Sequence, residues 1–238
     1  MSNNNKNMKK IYYKIILIGN TQVGKTCFFK KLTKKIFVEK NISTIGIDKA
    51  KITKTLSVPE DPFDSSSPEK EIEFTIDFFD TAGQERYRSI TSGYYKNSQG
   101  LLLLYDITNR KSFEDIENWI KSVVENLGQK ESGSKKNYSL ILLGNKSDLI
   151  NERKVEYKEG DEIAKNYGFD YFLETSAKTG ENISNIFIKA ARLLYEDFLK
   201  YKDINSENFS DFSGGLSKNT SLKINLKKKR ENNKCCHY

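Results

Sequence analysis

Residues 19–26 carry the pattern Gly-x-x-x-x-Gly-Lys-Thr, and this short segment constrains the fold more than any other part of the chain. An apolar run at residues 15–18 precedes it directly, which is typical of a buried strand that delivers a loop to a following helix. Glycines let the backbone turn several N–H groups inward, and the helix that begins near Lys25 adds the positive end of its dipole. The segment therefore predicts a phosphate-binding loop.

Two side chains at the end of this loop suit a nucleotide bound together with Mg²⁺. Lys25 is expected to reach the terminal phosphates, and the Thr26 hydroxyl is expected to bind the metal. The alternative is a glycine-containing turn that matches the pattern by chance. The strand in front of the loop argues against that alternative.

Length and charge favour one folded domain with extensions. The chain has 238 residues and a net charge of +8. Residues 200–238 carry nine Lys or Arg against four Asp or Glu, so much of the positive excess lies in the tail. We therefore predict a disordered N-terminal extension at residues 1–10, a folded domain at residues 11–198 and a flexible basic tail at residues 199–238.

Cysteine usage favours a reducing compartment. The chain has three cysteines, of which one is in the first predicted helix and two are near the last residue, and this is not the framework of a disulfide-rich secreted domain. The sequence contains no stretch near 18 apolar residues, no signal-peptide hydrophobic segment and no N-terminal glycine for myristoylation. We expect the protein to be made and kept in the cytosol.

Apolar segments alternate between the periods of strands and helices along the chain. The predicted strands cover residues 11–18, 71–79, 101–105, 140–143 and 170–175, and the predicted helices cover residues 25–34, 116–127, 158–167 and 183–194. Ser112 is the predicted N-cap of the second helix, and Trp119 is predicted to lie in the core. The alternation predicts a doubly wound α/β sheet whose ligand lies at the carboxyl ends of the strands.

Two polar segments are expected to be loops. Residues 56–71 contain all three prolines of the protein among acidic residues and serines, which predicts a mobile acidic loop between two antiparallel strands. Residues 128–137 are rich in Gly, Ser and Lys and predict a second loop. Neither segment overlaps a motif of the predicted site.

The segment Asp80-Thr81-Ala82-Gly83-Gln84 follows a predicted strand and adds a second part to the site. Asp80 is expected to hold Mg²⁺, directly or through water, although an Asp at a strand end is more often a cap or turn residue when it stands alone. Gly83 has no side chain to keep its N–H away from the terminal phosphate. Gln84 is neutral and carries both a donor and an acceptor, so it is suited to orient an attacking water.

Two further segments at strand ends predict a pocket for guanine. Asn145-Lys146-Ser147-Asp148 contains a carboxylate that can accept two N–H bonds, which the N1 and N2 edge of guanine offers and adenine does not. Ser176-Ala177-Lys178 follows the last strand and is placed to close the other side of the base. The stems of Lys146 and Lys178 are expected to lie along its faces.

These segments, in this order, resemble the Ras-like small GTPases and, within them, the Rab family, over residues 11–198. Residues 44–48 are similar to the first switch, residues 80–90 to the second, and residues 94–95 and 104–108 to stretches typical of Rabs. The resemblance implies a three-layer P-loop NTPase fold with a six-stranded, mostly parallel sheet and one antiparallel strand. It also implies that GTP or GDP and Mg²⁺ are the cofactors and that hydrolysis is slow without an activating protein.

The resemblance also assigns roles to residues. It implies that Gln84, Lys25 and Thr44 act in catalysis and that Thr26, Thr44 and Asp80 hold Mg²⁺. The implied nucleotide contacts are Gly19, Thr21, Gln22, Val23, Gly24, Lys25, Thr26, Cys27, Phe37, Thr44, Gly83, Asn145, Lys146, Asp148, Ser176, Ala177 and Lys178. Two residues depart from the family pattern, because Lys49 stands where Rabs often have Phe and Gln22 stands where a small residue is usual.

The segment Cys235-Cys236-His237-Tyr238 is similar to the paired-cysteine termini that Rabs prenylate, although His237 departs from the C-a-a-X pattern. Two lipid chains anchor a protein stably, whereas one anchors it only marginally. The basic run at residues 227–230 would add about 1 kcal/mol per residue near an anionic leaflet. A solvated tail with spare thiols and a nuclear-localisation segment are the alternatives.

The implied function is a molecular switch in vesicle traffic at the cytoplasmic face of an endomembrane, with a cytosolic pool. The implied partners are an exchange factor, a GTPase-activating protein, a prenyl transferase with its escort, a GDP-dissociation inhibitor and effectors, and the protein is expected to be a monomer. Two alternatives remain, namely an ATP-dependent P-loop kinase and a scaffold that binds GTP with little turnover. Nucleic-acid binding is disfavoured, because the basic excess has little aromatic interleaving.

Overall fold

The computed structural model describes residues 8–37, 47–62, 66–81, 95, 97–127 and 138–204. The strands in these residues are β1 (Lys9–Ile18), β2 (Ile47–Pro59), β3 (Glu69–Thr81), β4 (Gly100–Asp106), β5 (Ser139–Asn145) and β6 (Tyr171–Thr175). The helices are α1 (Lys25–Lys34), α2 (Arg110–Glu114), α3 (Ile116–Leu127), α4 (Tyr157–Tyr167) and α5 (Ile183–Ile204), with a 3-10 turn at Ile150–Glu152.

The strands form one six-stranded sheet in the order β2-β3-β1-β4-β5-β6. Strand β2 is antiparallel to β3, and all other neighbours are parallel. The predicted mixed sheet with one antiparallel strand is confirmed. Because β1 lies between β3 and β4, the loop after β1 is next to the ends of both neighbouring strands.

Two apolar clusters lie on opposite faces of the sheet and make a three-layer structure. On one face, Phe28 of α1 and Phe187 of α5 are buried against β1, β3 and part of β5. On the other face, Trp119 of α3 and Ala164 of α4 are buried against alternate side chains of β1, β4 and β5. Every residue of β4 and β5 is buried, which explains the apolar runs at residues 101–104 and 140–143.

Most predicted elements are confirmed, but several boundaries were wrong. The predicted acidic loop at residues 56–71 is shorter, because β2 continues to Pro59 and β3 begins at Glu69. Val58 is only 1% exposed, so the first part of the predicted loop is packed as strand. The predicted loop at residues 128–137 lies outside the described residues.

The prediction that Ser112 caps the helix containing Trp119 was wrong. The helical segment divides into α2 and α3, and Asn109 is the N-cap of α2, with its side chain accepting from the Ser112 N–H. The Ser112 hydroxyl instead donates to the Asn109 carbonyl at 2.7 Å. Asparagine is as good an N-cap as serine, so the spacing alone did not separate the two.

Neither a membrane span nor a metal cluster is evident in the described part of the chain. None of the helices described there combines the length and the apolar composition that a membrane-spanning helix requires. Nor do the described residues contain a group of three or more His, Cys, Asp or Glu side chains placed to hold a metal ion.

Candidate nucleotide-binding site

The loop between β1 and α1 is shaped by two glycines. Gly19 has a φ of 134°, and a Cβ there would lie 2.2 Å from the Leu104 carbonyl oxygen of β4. Gly24 has a φ of 97°, and a Cβ there would lie 2.3 Å from the Asn145 side-chain nitrogen. Both positions combine a backbone angle that favours glycine with a close neighbour, so the loop lies tightly on the ends of β4 and β5.

The Lys25 ammonium is held inside this loop. It donates hydrogen bonds of 2.7 Å to the carbonyl oxygens of Gly19 and Asn20, and the residue is 5% exposed. A buried ammonium is stable only when its donors are satisfied, and these two carbonyls satisfy part of that demand. The positive charge is therefore fixed at the N-terminal end of α1, where the helix dipole also favours an anion.

Thr26 and Asp80 meet beside Lys25, although 54 residues separate them. The Thr26 hydroxyl donates to Asp80 Oδ2 at 2.6 Å, and Asp80 is fully buried at the end of β3. Burial raises the pKa of the Asp80 carboxyl, while the Thr26 hydrogen bond and the Lys25 charge act in the opposite direction. Asp80 Oδ1 is buried with no hydrogen-bond partner among the described residues.

This pair has the chemistry of a partial Mg²⁺ site. A hydroxyl and a carboxylate are the hard oxygen ligands that Mg²⁺ prefers, and the ion usually completes its shell with water and substrate phosphates. A buried carboxylate oxygen without a partner is costly, and a cation would relieve that cost. The residues present therefore fit a magnesium ion.

Asn145 connects three segments at the carboxyl edge of the sheet. Its side-chain nitrogen donates to the Val23 carbonyl at 2.8 Å. Its side-chain oxygen accepts from the Thr175 hydroxyl at 3.3 Å and from the Ala177 N–H at 3.4 Å. Asn145 is 1% exposed, so it acts as a buried tie between the phosphate loop and the segment after β6.

Asp148 and Ser176 line the neighbouring edge. The Ser176 hydroxyl donates to Asp148 Oδ1 at 2.5 Å and accepts from the Thr179 N–H at 3.0 Å. Asp148 is half-buried. The Ser147 hydroxyl donates to Glu181 at 2.8 Å and holds the two segments together from the other side.

Lys146 has a φ of 68°, a left-handed conformation that is uncommon for a residue with a side chain. Its ammonium lies 2.6 Å from Asp106 Oδ2 at the end of β4.

Lys178 is exposed, and its carbonyl oxygen is 3.5 Å from the Lys31 ammonium. Phe37 is 36% exposed and follows the C-terminal end of α1.

Comparisons with known proteins agree with this geometry. A family model described as the Ras family matches residues 14–196. The chain belongs to the Ras family. It is 38% identical to the Ras-related protein Rab-13 of Mesocricetus auratus over 231 residues, or 96% of this chain and 98% of that one. It is 39% identical to the Ras-related protein Rab-8B of Homo sapiens over 188 residues, or 78% of this chain and 81% of that one.

The family membership and these relatives identify the chain as a Rab-type small GTPase. It binds guanine nucleotide, hydrolyses GTP and works as a switch in membrane trafficking, with regulators and effectors as its general class of partners. It acts in association with membranes. Nothing in the comparisons favours a kinase or a scaffold without turnover.

The sheet of this Rab-type protein brings most of the predicted residues to one edge. The residues that lie there are Gly19, Thr21, Gln22, Val23, Gly24, Lys25, Thr26, Cys27, Asp80, Asn145, Lys146, Asp148, Ser176, Ala177 and Lys178. Gln22 is exposed and has a φ of 65°, so its side chain leaves the compact part of the loop. Thr44, Gly83, Gln84, Cys235 and Cys236 were also predicted and lie outside the described residues.

Sequence reasoning missed residues that hold the loop from outside. The Asn20 side chain donates to Asp115 Oδ2 at 2.7 Å and accepts from the Trp119 indole N–H at 2.7 Å. Asp106 was seen only as part of a family-typical stretch, yet it contacts Lys146. Their positions in the sequence could have identified both residues. Asn20 lies within the loop motif, and Asp106 is the polar residue that ends an apolar strand.

Proposed function

We propose that GDP or GTP with Mg²⁺ binds at the carboxyl edge of the sheet and that the third phosphate sets the state of the two switch segments. The observation that supports this most directly is the contact between Thr26 and the buried Asp80, whose second oxygen has no partner among the described residues. That pair lies beside the Lys25 ammonium at the start of α1. The Asp80 carboxylate suits a positive metal ion, and the Lys25 ammonium suits the negative phosphates.

In this proposal Lys25 binds the terminal phosphates, and Thr26, Thr44 and Asp80 hold the metal. Bound Mg²⁺ would neutralise charge that develops on the phosphate oxygens. Gly83 contacts the terminal phosphate through its N–H, and Gln84 orients the attacking water. Release of these contacts after hydrolysis loosens the switch segments.

The base is selected by Asp148, whose carboxylate accepts from the N1 and N2 groups of guanine. Ser176 orients that carboxylate, since its hydroxyl donates to Asp148 Oδ1 at 2.5 Å. Lys146, Ala177 and Lys178 line the faces and far side of the base, and Phe37 contacts it edge-on. The remaining proposed contacts are Gly19, Thr21, Gln22, Val23, Gly24, Cys27 and Asn145.

The proposed partners are those that such a switch requires. An exchange factor loads GTP, and a GTPase-activating protein supplies an arginine worth about 10³ to 10⁵ in rate. Effectors recognise the GTP state. A prenyl transferase with its escort modifies Cys235 and Cys236, and a GDP-dissociation inhibitor maintains a cytosolic pool. The lipid-modified protein works at the cytoplasmic face of an endomembrane or vesicle.

The base contact gives the decisive experiment. We expect Asp148→Asn to weaken GDP binding by about 10² to 10³-fold and to improve the relative affinity for xanthosine diphosphate, whose base presents a carbonyl at position 2. Titration calorimetry of both variants with both nucleotides measures this. Asp161→Asn is the matched control, because Asp161 is an exposed carboxylate paired with Lys165 on α4. Equal GDP affinity of Asp148→Asn and the unaltered protein would overturn the proposed base site.

A further inference from the structure

We infer that Asp106 is a positioning residue for nucleotide binding, because it fixes the Lys146 ammonium and thereby pre-arranges the lysine stem against the base. This inference rests on the proposed role of Lys146 at the guanine face. The contact that carries it is the 2.6 Å ion pair between Lys146 Nζ and Asp106 Oδ2. The Asp106 side chain is 7% exposed and that of Lys146 is 33% exposed, so the carboxylate is buried and the lysine side chain is half-buried.

The carboxylate is itself held rigidly. Asp106 Oδ1 accepts from the Thr108 N–H at 2.9 Å and from the Thr108 hydroxyl at 2.8 Å. The Asp106 N–H lies 3.0 Å from the Ser112 hydroxyl, which connects the strand end to α2. Both carboxylate oxygens therefore have partners, and only Oδ2 faces the lysine.

The backbone of Lys146 is fixed as well. Asp106 and Asn145 are direct neighbours in the β4–β5 pairing, and the Ile107 N–H donates to the Asn145 carbonyl at 3.1 Å. The Leu149 N–H donates to the Lys146 carbonyl at 2.9 Å. With the backbone fixed at one end and the ammonium at the other, the stem has to cross the ends of β4 and β5.

A free lysine side chain loses rotamer freedom when it is ordered against a ligand. That loss costs about 0.5–1.5 kcal/mol for a long side chain, which corresponds to roughly 2- to 12-fold in affinity. In this protein the ion pair orders the stem before the nucleotide arrives. Removal of the Asp106 charge should therefore lower affinity through Lys146, and it should do so only while Lys146 is present.

The test is a double-mutant cycle on nucleotide dissociation from the full chain. Asp106→Asn is the appropriate change, because an amide oxygen still accepts from Thr108 while the charge that attracts the ammonium is lost. We expect Asp106→Asn to speed dissociation of a fluorescent GDP analogue by about 3- to 10-fold. We expect its effect to shrink to less than about 2-fold when Lys146→Met is already present, because the two residues act as one unit.

Glu114→Gln is the matched control, since it removes an exposed carboxylate from α2 that pairs only with Arg110 in the described structure. We expect that control to dissociate GDP at the rate of the unaltered protein. The inference is overturned if Asp106→Asn alone has no effect, or if its effect is the same with and without Lys146→Met. Thermal unfolding of each variant confirms that it is folded before rates are compared.

The proposed nucleotide site fails in a different way. If Lys146→Met leaves GDP dissociation unchanged, Lys146 does not contact the base, and the role assigned to Asp106 falls with it. If the unaltered protein binds ADP as tightly as GDP, the guanine site is wrong whatever the cycle shows. Non-additivity of Asp106→Asn and Lys146→Met in a protein that prefers GDP supports both proposals.

Discussion

The side-chain nitrogen of Asn145 donates a hydrogen bond of 2.8 Å to the main-chain carbonyl of Val23, across 122 positions of sequence. This bond joins the end of β5 to the phosphate loop. The oxygen of the same amide accepts from the Thr175 hydroxyl and the Ala177 N–H. One buried side chain therefore connects the ends of β5 and β6 to the phosphate loop. The segments of the proposed nucleotide site are therefore joined by hydrogen bonds, and a substitution in one segment should alter the positions of the others.

We expect Asn145→Ala to lower the free energy of unfolding of the GDP-bound protein by about 2–3 kcal/mol, because buried groups on Val23 and Ala177 lose their partner. Urea denaturation at fixed GDP concentration measures the change. Asn185→Ala is the control, since among the described residues the Asn185 amide makes only an exposed 3.3 Å contact with Asn182. If Asn145→Ala lowers the free energy of unfolding no more than the control does, Asn145 does not stabilise the site in this way.

We expect Gly24→Ala to weaken GDP binding by at least about 100-fold. A methyl group there would lie 2.3 Å from the Asn145 amide nitrogen, and the φ of 97° is unfavourable for alanine. Gly168→Ala is the control for the φ penalty without a clash, because Gly168, the C-cap of α4, also has a positive φ, of 67°, yet a Cβ there meets nothing within 4 Å. That variant should cost about 1 kcal/mol of stability and keep its GDP affinity. Titration calorimetry measures the GDP affinity of both variants, and a Gly24→Ala variant that binds GDP as tightly as Gly168→Ala would contradict this expectation.

Chelation of Mg²⁺ with EDTA should lower the thermal unfolding midpoint of the GDP-bound protein by several degrees, because a ligand that binds only the folded state stabilises it. Asp80→Asn should remove most of that response, since it removes the buried carboxylate. Asp77→Asn is the control on the same strand, where the carboxylate pairs with Lys49 at 2.8 Å. If EDTA shifts Asp80→Asn as much as the unaltered protein, Asp80 does not hold the metal.

Trp119 is the only tryptophan of the protein, and its indole N–H donates to Asn20 in the phosphate loop. We expect removal of nucleotide and metal to change the tryptophan fluorescence, because the loop that carries Asn20 changes its contacts. Asn20→Ala should abolish most of this change while Trp119 stays buried. Lys111→Ala is the control, since Lys111 is exposed and its ammonium pairs with Asp115 Oδ1, whereas Asn20 binds Asp115 Oδ2. An undiminished signal in Asn20→Ala would show that Trp119 senses the nucleotide by another route.

Replacement of both Cys235 and Cys236 by Ser should move the protein from membranes to the cytosol, because two lipid chains are needed for stable anchoring. Replacement of one cysteine should leave weaker, reversible association. Flotation of cell membranes on a density gradient measures the bound fraction. A Gln variant of residues 227–230 is the control for the basic run and should reduce membrane binding less than the double Ser variant. Membrane association that survives loss of both thiols would refute lipid anchoring.

The sequence alone determined the parts that depend on local spacing. The phosphate loop at residues 19–26, the buried strands and the helical period around Trp119 are patterns within short windows, and the structure confirms the fold that they predicted. Boundaries were less well determined. Pro59 and Glu69 belong to strands because of pairing with a partner strand, which composition does not reveal.

Only the tertiary structure decided which distant side chains meet. The contacts of Asn20 with Trp119, Thr26 with Asp80, and Lys146 with Asp106 each join residues that are far apart in the chain. Such contacts depend on strand order and register, because β1 lies between β3 and β4 while β5 follows β4. A local pattern specifies the period of an element and its buried face, whereas the neighbours of its polar end are set by the sheet that all elements form together.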